Sequence, residues 1–400
     1  MVEPVICAGC ALLCDDTTAE LSEEPPRLLP PCPVGEQWLA ARTARDPATP
    51  SATIDGAPAG TESALTRAAE LLREARRPLV HGFGETTTED ARAAVALADR
   101  LGAIVTGGPV SRPWPGAPAL PLRGASSATL GEIRDRARLV VVWREDVEST
   151  HPRLLDRLGF GAGARTSRLE DARTLVVVDD RDTDTAQRAD VRCSWPADDD
   201  LEALRWLSAR RRGTDGGHAP PADDLGERLD AATHSAIVYG SGLTAGAGGE
   251  RRALALHDLV RALNADHRAV ALALPDAPGR RGAEDVLAWQ TGYPGLVDLA
   301  SGYPEPVAPG EDIVAREGID IALTIGGGAG PPLAGVTEIA LSSLPVDGVA
   351  VSLRTAAPGL ETAGTAHRLD GVPLTLRAPR GTDAPTTAAL LARLGEELAS

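Results

Sequence analysis

The chain has no lysine: all 40 of its basic residues are arginine, in a sequence of 400. That absence excludes a Schiff-base lysine and a P-loop lysine outright. Long apolar runs are missing too, and none approaches the ~20 residues that a membrane-spanning helix needs. The opening MVEPVICAGC has neither a basic region nor an extended apolar stretch. A soluble cytoplasmic protein with reduced thiols is therefore expected. Positive charge is in deficit, with 57 acidic residues against 40 basic, a net charge of −17 and a pI of about 4.9. Neither a nucleic acid nor a membrane is expected as a partner. The HExxH, GxSxG and zinc-deaminase patterns are absent, and the seven histidines are scattered. His81 and His234 border predicted strands and read as structural side chains.

What is present is concentrated at the front. Four of the five cysteines fall within the first 32 residues: Cys7, Cys10 and Cys14 in CAGCALLC, and Cys32 in PCPVG. A C-x2-C-x3-C run brings three thiolates onto one cuboidal cluster from a short loop, and a fourth arrives from a nearby turn. Pro33 stiffens that turn. Tetrahedral zinc is the competing ligand reading, although its usual knuckle is two close pairs rather than three and one. Buried or disulfide-linked cysteines remain a third. Cys193, in VRCSWP, has no neighbouring cysteine and reads as a buried apolar residue.

Four hundred residues exceed what one hydrophobic core usually serves. Apolar runs alternate with amphipathic stretches, which means crossover units and an α/β architecture with parallel sheets. Strands are predicted at Pro78–Gly82, Ala103–Thr106, Arg138–Trp143 and Thr174–Asp179, then at Ser235–Gly240, Ala269–Leu274, Ile319–Ile325 and Gly348–Leu353. LVVVW and LVVVDD are rich in β-branched residues and apolar on both faces, as buried parallel strands must be. Helices are predicted at Thr61–Ala75, Thr88–Leu101 and Glu250–Leu263. The polar, Gly- and Pro-rich segment Ala209–Asp224 reads as a connector. The expected organisation is a cap over residues 1–55, an α/β lobe over 56–208, a linker over 209–224 and a second lobe over 225–400. Glycine-rich turns, GSGLTAGAGG and GGGAGPP, follow two of the strands, but neither carries the acidic residue that completes a dinucleotide fingerprint.

Several segments together resemble the molybdopterin-binding B subunit of formylmethanofuran dehydrogenase, of the dimethyl-sulfoxide-reductase-like molybdopterin oxidoreductases. CAGCALLCDD resembles that family's opening cluster loop and CPVGEQWL its fourth-ligand turn. TLGEIRDRARLVVVW, THPRLLDR and VVVDDRDTDTAQRAD resemble its pterin-side strands and loops, and TGYPGLVDLASGYP and ETAGTAHRLDGVPLTLR its C-terminal half. The resemblance implies a 4Fe-4S cluster on Cys7, Cys10, Cys14 and Cys32. It also implies a molybdopterin guanine dinucleotide carrying tungsten or molybdenum, and no C-terminal barrel domain on this polypeptide. The cofactor-facing positions it implies are Asp179, Arg181, Thr183 and Thr185.

Two departures stand against a working redox site. The family's metal-ligating cysteine and the histidine after it correspond to Ser111 and Arg112 in GGPVSRPWP. A serine oxygen is a harder ligand than a thiolate and sets a different potential, though serine does ligate molybdenum elsewhere in the superfamily. The family's Gly-x-Asn-Pro pterin turn is Arg144-Glu145-Asp146-Val147 here. Arginine for glycine fills space, and two carboxylates oppose a pyrophosphate, each like-charge contact costing roughly 4 kcal/mol at ~4 Å and an effective dielectric near 20. This pattern resembles the family's bacterial branch, the formyltransferase/hydrolase complex, in which an amidohydrolase-like subunit releases formate. The expectation is a redox-silent scaffold in a hetero-oligomeric complex handling formyl groups on tetrahydromethanopterin- and methanofuran-type carriers. An active tungsten or molybdenum subunit and an iron–sulfur electron carrier are the alternatives.

Overall fold

Runs that are apolar on both faces become strands buried on both faces: every residue of Leu139–Trp143, Pro78–Gly82 and Ile321–Ile325 is buried. The computed structural model describes residues 2–44, 49–110, 114–161, 173–214, 222–308, 310, 312–327 and 330–399. It divides into two units, Met1–Trp114 with Ala277–Ser400, and Pro115–Asp276.

The first unit holds a nine-stranded sheet in the order Glu305–Pro306, Leu296–Asp298, Ile104–Thr106, Pro78–Gly82, Ile321–Ile325, Thr337–Ser342, Val351–Arg354, Ala52–Ile54, Ala57–Ala59. Its centre is parallel and its edges antiparallel. Helices Thr61–Glu74, Thr88–Leu101 and Thr387–Glu397 cover one face. Their apolar stripes, such as Leu65 with Leu72 and Leu390 with Leu394, meet Val80, Leu323, Ile339 and Leu353 from the sheet. Each such fully buried aliphatic side chain contributes roughly 1.5–3 kcal/mol relative to exposure. Thr88–Leu101 begins where Thr87 and Asp90 form a reciprocal capping box and ends at Gly102, whose φ of 59° is left-handed. In the same unit lies a three-stranded antiparallel sheet, Val2–Cys7, Cys14–Glu20 and Arg27–Leu29, followed by helix Pro33–Thr43.

The second unit is a five-stranded parallel sheet in the order Val191–Cys193, Thr174–Val178, Leu139–Trp143, His234–Tyr239, Arg268–Ala273. In chain order this is 3-2-1-4-5, the doubly wound arrangement, and its direction reverses between Leu139–Trp143 and His234–Tyr239. Cys193 is buried in its core beside Trp195 and Val178.

Every strand read from the sequence exists, and so does each of the three helices. The lobes expected at 56–208 and 225–400 are replaced by one continuous unit and one discontinuous one. The reason is strand pairing: Ile321–Ile325 adds directly beside Pro78–Gly82, and His234–Tyr239 beside Leu139–Trp143. The segment expected as a linker at 209–224 lies wholly in the second unit; Ala209–Arg211 ends helix Asp200–Arg211, and residues 215–221 lie outside the described residues.

Candidate functional site

The cysteine loop is built by a hairpin and a helix start. Cys7 and Cys14 face each other in register where Val2–Cys7 pairs with Cys14–Glu20. Between them the loop turns back on itself, with Leu13 N–H donating to the Cys10 carbonyl at 3.2 Å. Cys32 is the N-cap residue of Pro33–Thr43, with proline opening the helix as its fixed φ favours. Two glycines let these pieces touch. A Cβ on Gly35 would lie 2.8 Å from Cys7 Sγ and 2.7 Å from Leu28 Cδ1, and one on Gly9 would lie 2.9 Å from Gly35 Cα.

All four thiols are free of disulfides; Cys7, Cys14 and Cys32 are buried and Cys10 is half-buried. Burial pushes the Cys10 thiol far up, and Cys14, Cys7 and Cys32 push it further, while a backbone hydrogen bond at Leu12 opposes them. The four sulfurs therefore lie within electrostatic reach of one another, and a cationic centre would relieve the repulsion between their thiolates. Among the described residues, no three His, Cys, Asp or Glu side chains close around a point that one ion could occupy. Four thiolates are the soft donor set that holds either zinc or an iron–sulfur cluster.

The second candidate is the crevice at the switch point of the second unit, where a doubly wound sheet normally takes its nucleotide. Arg144 follows Trp143 there with a φ of 54° and is buried. Its side chain turns into the unit rather than into the crevice. Nε donates to Asp200 Oδ2 at 2.9 Å, Nη1 to Asp180 Oδ1 at 2.6 Å, and Nη2 to the Trp195 carbonyl at 2.6 Å. Asp200 also accepts from the Trp143 and Trp195 indoles at 3.1 and 2.9 Å. A guanidinium with no carboxylate to meet could not be buried this way.

What fills the crevice is the backbone of Arg144 and the side chain of Glu145. A Cβ on Gly242 would lie 1.7 Å from the Arg144 carbonyl oxygen, and one on Gly240 would lie 2.1 Å from Glu145 Oε2. Burial holds the Glu145 carboxyl above its ordinary range, with the neighbouring Gly242 backbone and Arg181 opposing it. Asp146 turns away to Thr185, accepting from its hydroxyl at 2.7 Å and its N–H at 3.1 Å.

The residues expected to face a pterin engage protein atoms instead. Arg181 forks onto Asp179 at 3.0 and 2.7 Å. Thr183 caps helix Asp184–Gln187 through the Ala186 N–H at 3.1 Å. Thr185 serves Asp146 and accepts from the Glu148 N–H at 3.1 Å. This arrangement does not fit a dinucleotide pyrophosphate.

Ser111 and Arg112 lie outside the described residues. The glycines that precede them are described, and they rest on two groups that sequence reasoning missed. A Cβ on Gly107 would lie 2.8 Å from the Glu284 carboxyl, and one on Gly108 would lie 2.9 Å from Arg280 Nη1. Glu284 and Arg280 are both buried, and Glu284 Oε2 accepts from the Gly295 N–H at 2.7 Å. Burial pushes the Glu284 carboxyl up to about 7. Their spacing of four along one helix was the available signal, because an acid and a base so placed share a helix face. His81 Nε2 lies 3.0 Å from Thr324 Oγ1, as a structural histidine should, whereas its Nδ1 and His234 Nε2 have no protein partner.

Fold and sites together define an α/β protein with a doubly wound second unit, a loop of four cysteines in the first unit, and a switch-point crevice occupied by Glu145 and the Arg144 backbone. No family model matches the chain. It is 30% identical to the B subunit of tungsten-containing formylmethanofuran dehydrogenase 2 of Methanocaldococcus jannaschii, over 94% of this chain and 93% of that protein. The protein of the same name from Methanococcus maripaludis is 30% identical over 80% of each. The B subunit of the formyltransferase/hydrolase complex of Methylorubrum extorquens is 30% identical over 64% of this chain and 68% of its own. Among solved structures, a chain of that organism's formyltransferase/hydrolase complex, crystallised with methylofuran, superposes with a TM-score of 0.69 at 26% identity, covering 87% of this chain and 98% of that one. The chain belongs to the family of formylmethanofuran dehydrogenase B subunits. No helix among the described residues is long and apolar enough to cross a membrane.

Proposed function

We propose that this chain is the B-type component of a cytoplasmic formyl-transfer and hydrolysis assembly of the formyltransferase/hydrolase kind. In that reading it is a redox-silent framework of the dimethyl-sulfoxide-reductase-like fold, docked to an amidohydrolase-like subunit, and it retains a 4Fe-4S cluster on Cys7, Cys10, Cys14 and Cys32. The carriers would be of the tetrahydromethanopterin and methanofuran type. The observation that carries it is the switch-point crevice, where Glu145 and the Arg144 backbone stand against Gly240 and Gly242 in the space a pterin nucleotide needs. The thiolate and histidine of the redox family are also replaced, by Ser111 and Arg112. The cluster would act as a staple, since metal-binding free energy is also folding free energy.

A second reading, an active tungsten or molybdenum subunit, is favoured by one finding. The relative matched over 94% of this chain is named as tungsten-containing. Substitution at Ser111 separates the two. If the framework reading holds, Ser111→Ala leaves formyl transfer and hydrolysis by the assembly unchanged, and neither form oxidises formate or a formyl carrier with viologen. Viologen-linked oxidation by the wild type that disappears in Ser111→Ala establishes the second reading, because loss of a metal ligand changes both geometry and potential.

A further inference from the structure

We propose that the first unit's sheet holds one water as a structural ligand, bound between His81 Nδ1 and Thr106 Oγ1 and donating to the imidazole. It completes a row of hydrogen bonds that crosses four strands. The site belongs to the protein whichever chemistry the assembly performs.

Sheet register puts the two side chains next to each other. Pro78–Gly82 and Ile104–Thr106 are parallel neighbours, with Leu79 opposite Ile104 and Val80 opposite Val105. His81 and Thr106 are the next step along both strands. Alternation sends them to the face of Leu79 and Ile104, which cluster with Ala322, and away from Val80 and Val105 under the long helices. Thr324 lies opposite His81 on the next strand, and Glu338 comes from the strand after it. Thr106 is 0% and His81 1% exposed, and Thr324 and Glu338 are buried too.

The hydrogen bonds along this row have a direction. Thr324 Oγ1 donates to Glu338 Oε1, whose other oxygen accepts from the Leu333 N–H at 3.2 Å. A hydroxyl carries one proton, so Thr324 Oγ1 must accept from His81 Nε2, 3.0 Å away. His81 is therefore the Nε2–H tautomer, and its Nδ1 presents a bare lone pair. Burial, with the charge of Arg280 added to it, pushes the imidazole down to about 4, so the ring stays neutral. Neither Nδ1 nor Thr106 Oγ1 has a protein partner. A buried acceptor and a buried hydroxyl both need one.

The chemistry of the place selects the partner. It must donate to Nδ1 and also meet a hydroxyl, which a molecule with both a proton and a lone pair can do. The strand that ends at Thr106 runs on into Gly107 and Gly108, and the Gly108 carbonyl accepts from the Gly82 N–H at 3.1 Å. The Arg280 guanidinium stands against Gly108 and the Glu284 carboxyl against Gly107. A guanidinium so near opposes a metal ion at Nδ1. A water satisfies every demand, and two polar partners are enough to hold one.

Crystals of the whole assembly that order internal water test this. In the wild type one water should lie ~2.7–3.2 Å from both His81 Nδ1 and Thr106 Oγ1. Thr106→Val, which keeps the shape and removes the hydroxyl, should lose it. Solid-state nitrogen NMR on the assembly with labelled histidine, assigned through His81→Gln, reads the tautomer. Nε2 should be protonated, and Nδ1 should be a bare nitrogen that accepts a hydrogen bond. In Thr106→Val the Nδ1 signal should move towards that of a nitrogen with no such bond, while Nε2 stays. If the valine variant does not fold, the wild-type map and spectrum decide. A protonated Nδ1, a protein donor in the water's place, or a water that persists unchanged in Thr106→Val overturns the proposal.

Discussion

Asp200 is the residue on which the second unit's polar interior turns. It accepts from both tryptophan indoles and from Arg144, whose guanidinium is 3% exposed. Removing one partner of a buried ion pair strands the other charge, which typically costs ~3–5 kcal/mol. Asp200→Ala should therefore lower the thermal midpoint by many degrees, whereas Asp200→Asn, which keeps an acceptor, should lose less; calorimetry on the two variants checks the order. Glu284 gives a prediction in pH. Its ordinary value of 4.5 is raised to about 7, first by burial, with the Gly295 N–H and Arg280 pulling the other way. A folded value above the unfolded one means that the native state holds the proton more tightly. That stability is complete below about 4.5 and is lost as pH rises through about 7. At ~1.4 kcal/mol per unit the effect is of the order of 3 kcal/mol. Glu284→Gln should remove this part of the decline, visible as a thermal midpoint that falls less than the wild type's between pH ~5 and ~8. A variant with the same pH slope as the wild type would remove Glu284 from the account.

Helix Pro33–Thr43 is the element that joins the cysteine loop to the first unit's sheet. It begins at Cys32, and near its end Arg42 pairs with Glu85 in the turn beyond Pro78–Gly82, with Nε donating to Oε2 at 3.2 Å. Ser343 Oγ donates to the same carboxylate at 2.8 Å, and Arg380 Nη1 to the Arg42 carbonyl at 2.7 Å. The Arg42 and Glu85 side chains are only 9% and 14% exposed. Arg42→Ala leaves Glu85 without its guanidinium, at a cost of ~3–5 kcal/mol. The expected result is a lower urea midpoint, together with faster loss of the iron–sulfur cluster proposed for the loop that Cys32 closes. At this scale the sequence was legible where the signal is local. Apolar runs such as LVVVW marked strands, and amphipathic stretches marked the helices at Thr61–Glu74 and Thr88–Leu101. Sheet order was not legible, because nothing in IALTI says that it pairs with PLVHG, whose residues lie some 243 positions away. Arg144 shows the same limit at a site. The sequence reading had its side chain fill the turn after Trp143, whereas it runs inward to Asp200, 56 residues on, a partner no local signal names. The buried pair Arg280 and Glu284 went unread because helix spacing alone does not say which face is covered.

At the scale of the whole molecule, the family relationship spans nearly the entire chain, while the chemistry of the relatives divides between a tungsten enzyme and a formyltransferase/hydrolase complex. The framework reading expects a protein that works only in company. Expressed with its co-encoded partners the chain should copurify as one assembly, and expressed singly it should be poorly soluble, since obligate interfaces are large and apolar. Size-exclusion chromatography with subunit identification checks this, and a well-behaved lone monomer with no affinity for those partners would count against it. Cysteine ligation has its own test. Replacing Cys10 by serine should strip the absorbance near ~400 nm typical of a thiolate-held cluster and lower the thermal stability of the cap. The most direct measurement is a metal and pterin inventory of the anaerobically purified assembly, by elemental mass spectrometry and by fluorescence of oxidised pterin. The account predicts about four irons for each copy of this chain, with no tungsten, molybdenum or pterin. Stoichiometric tungsten or molybdenum with pterin would contradict it.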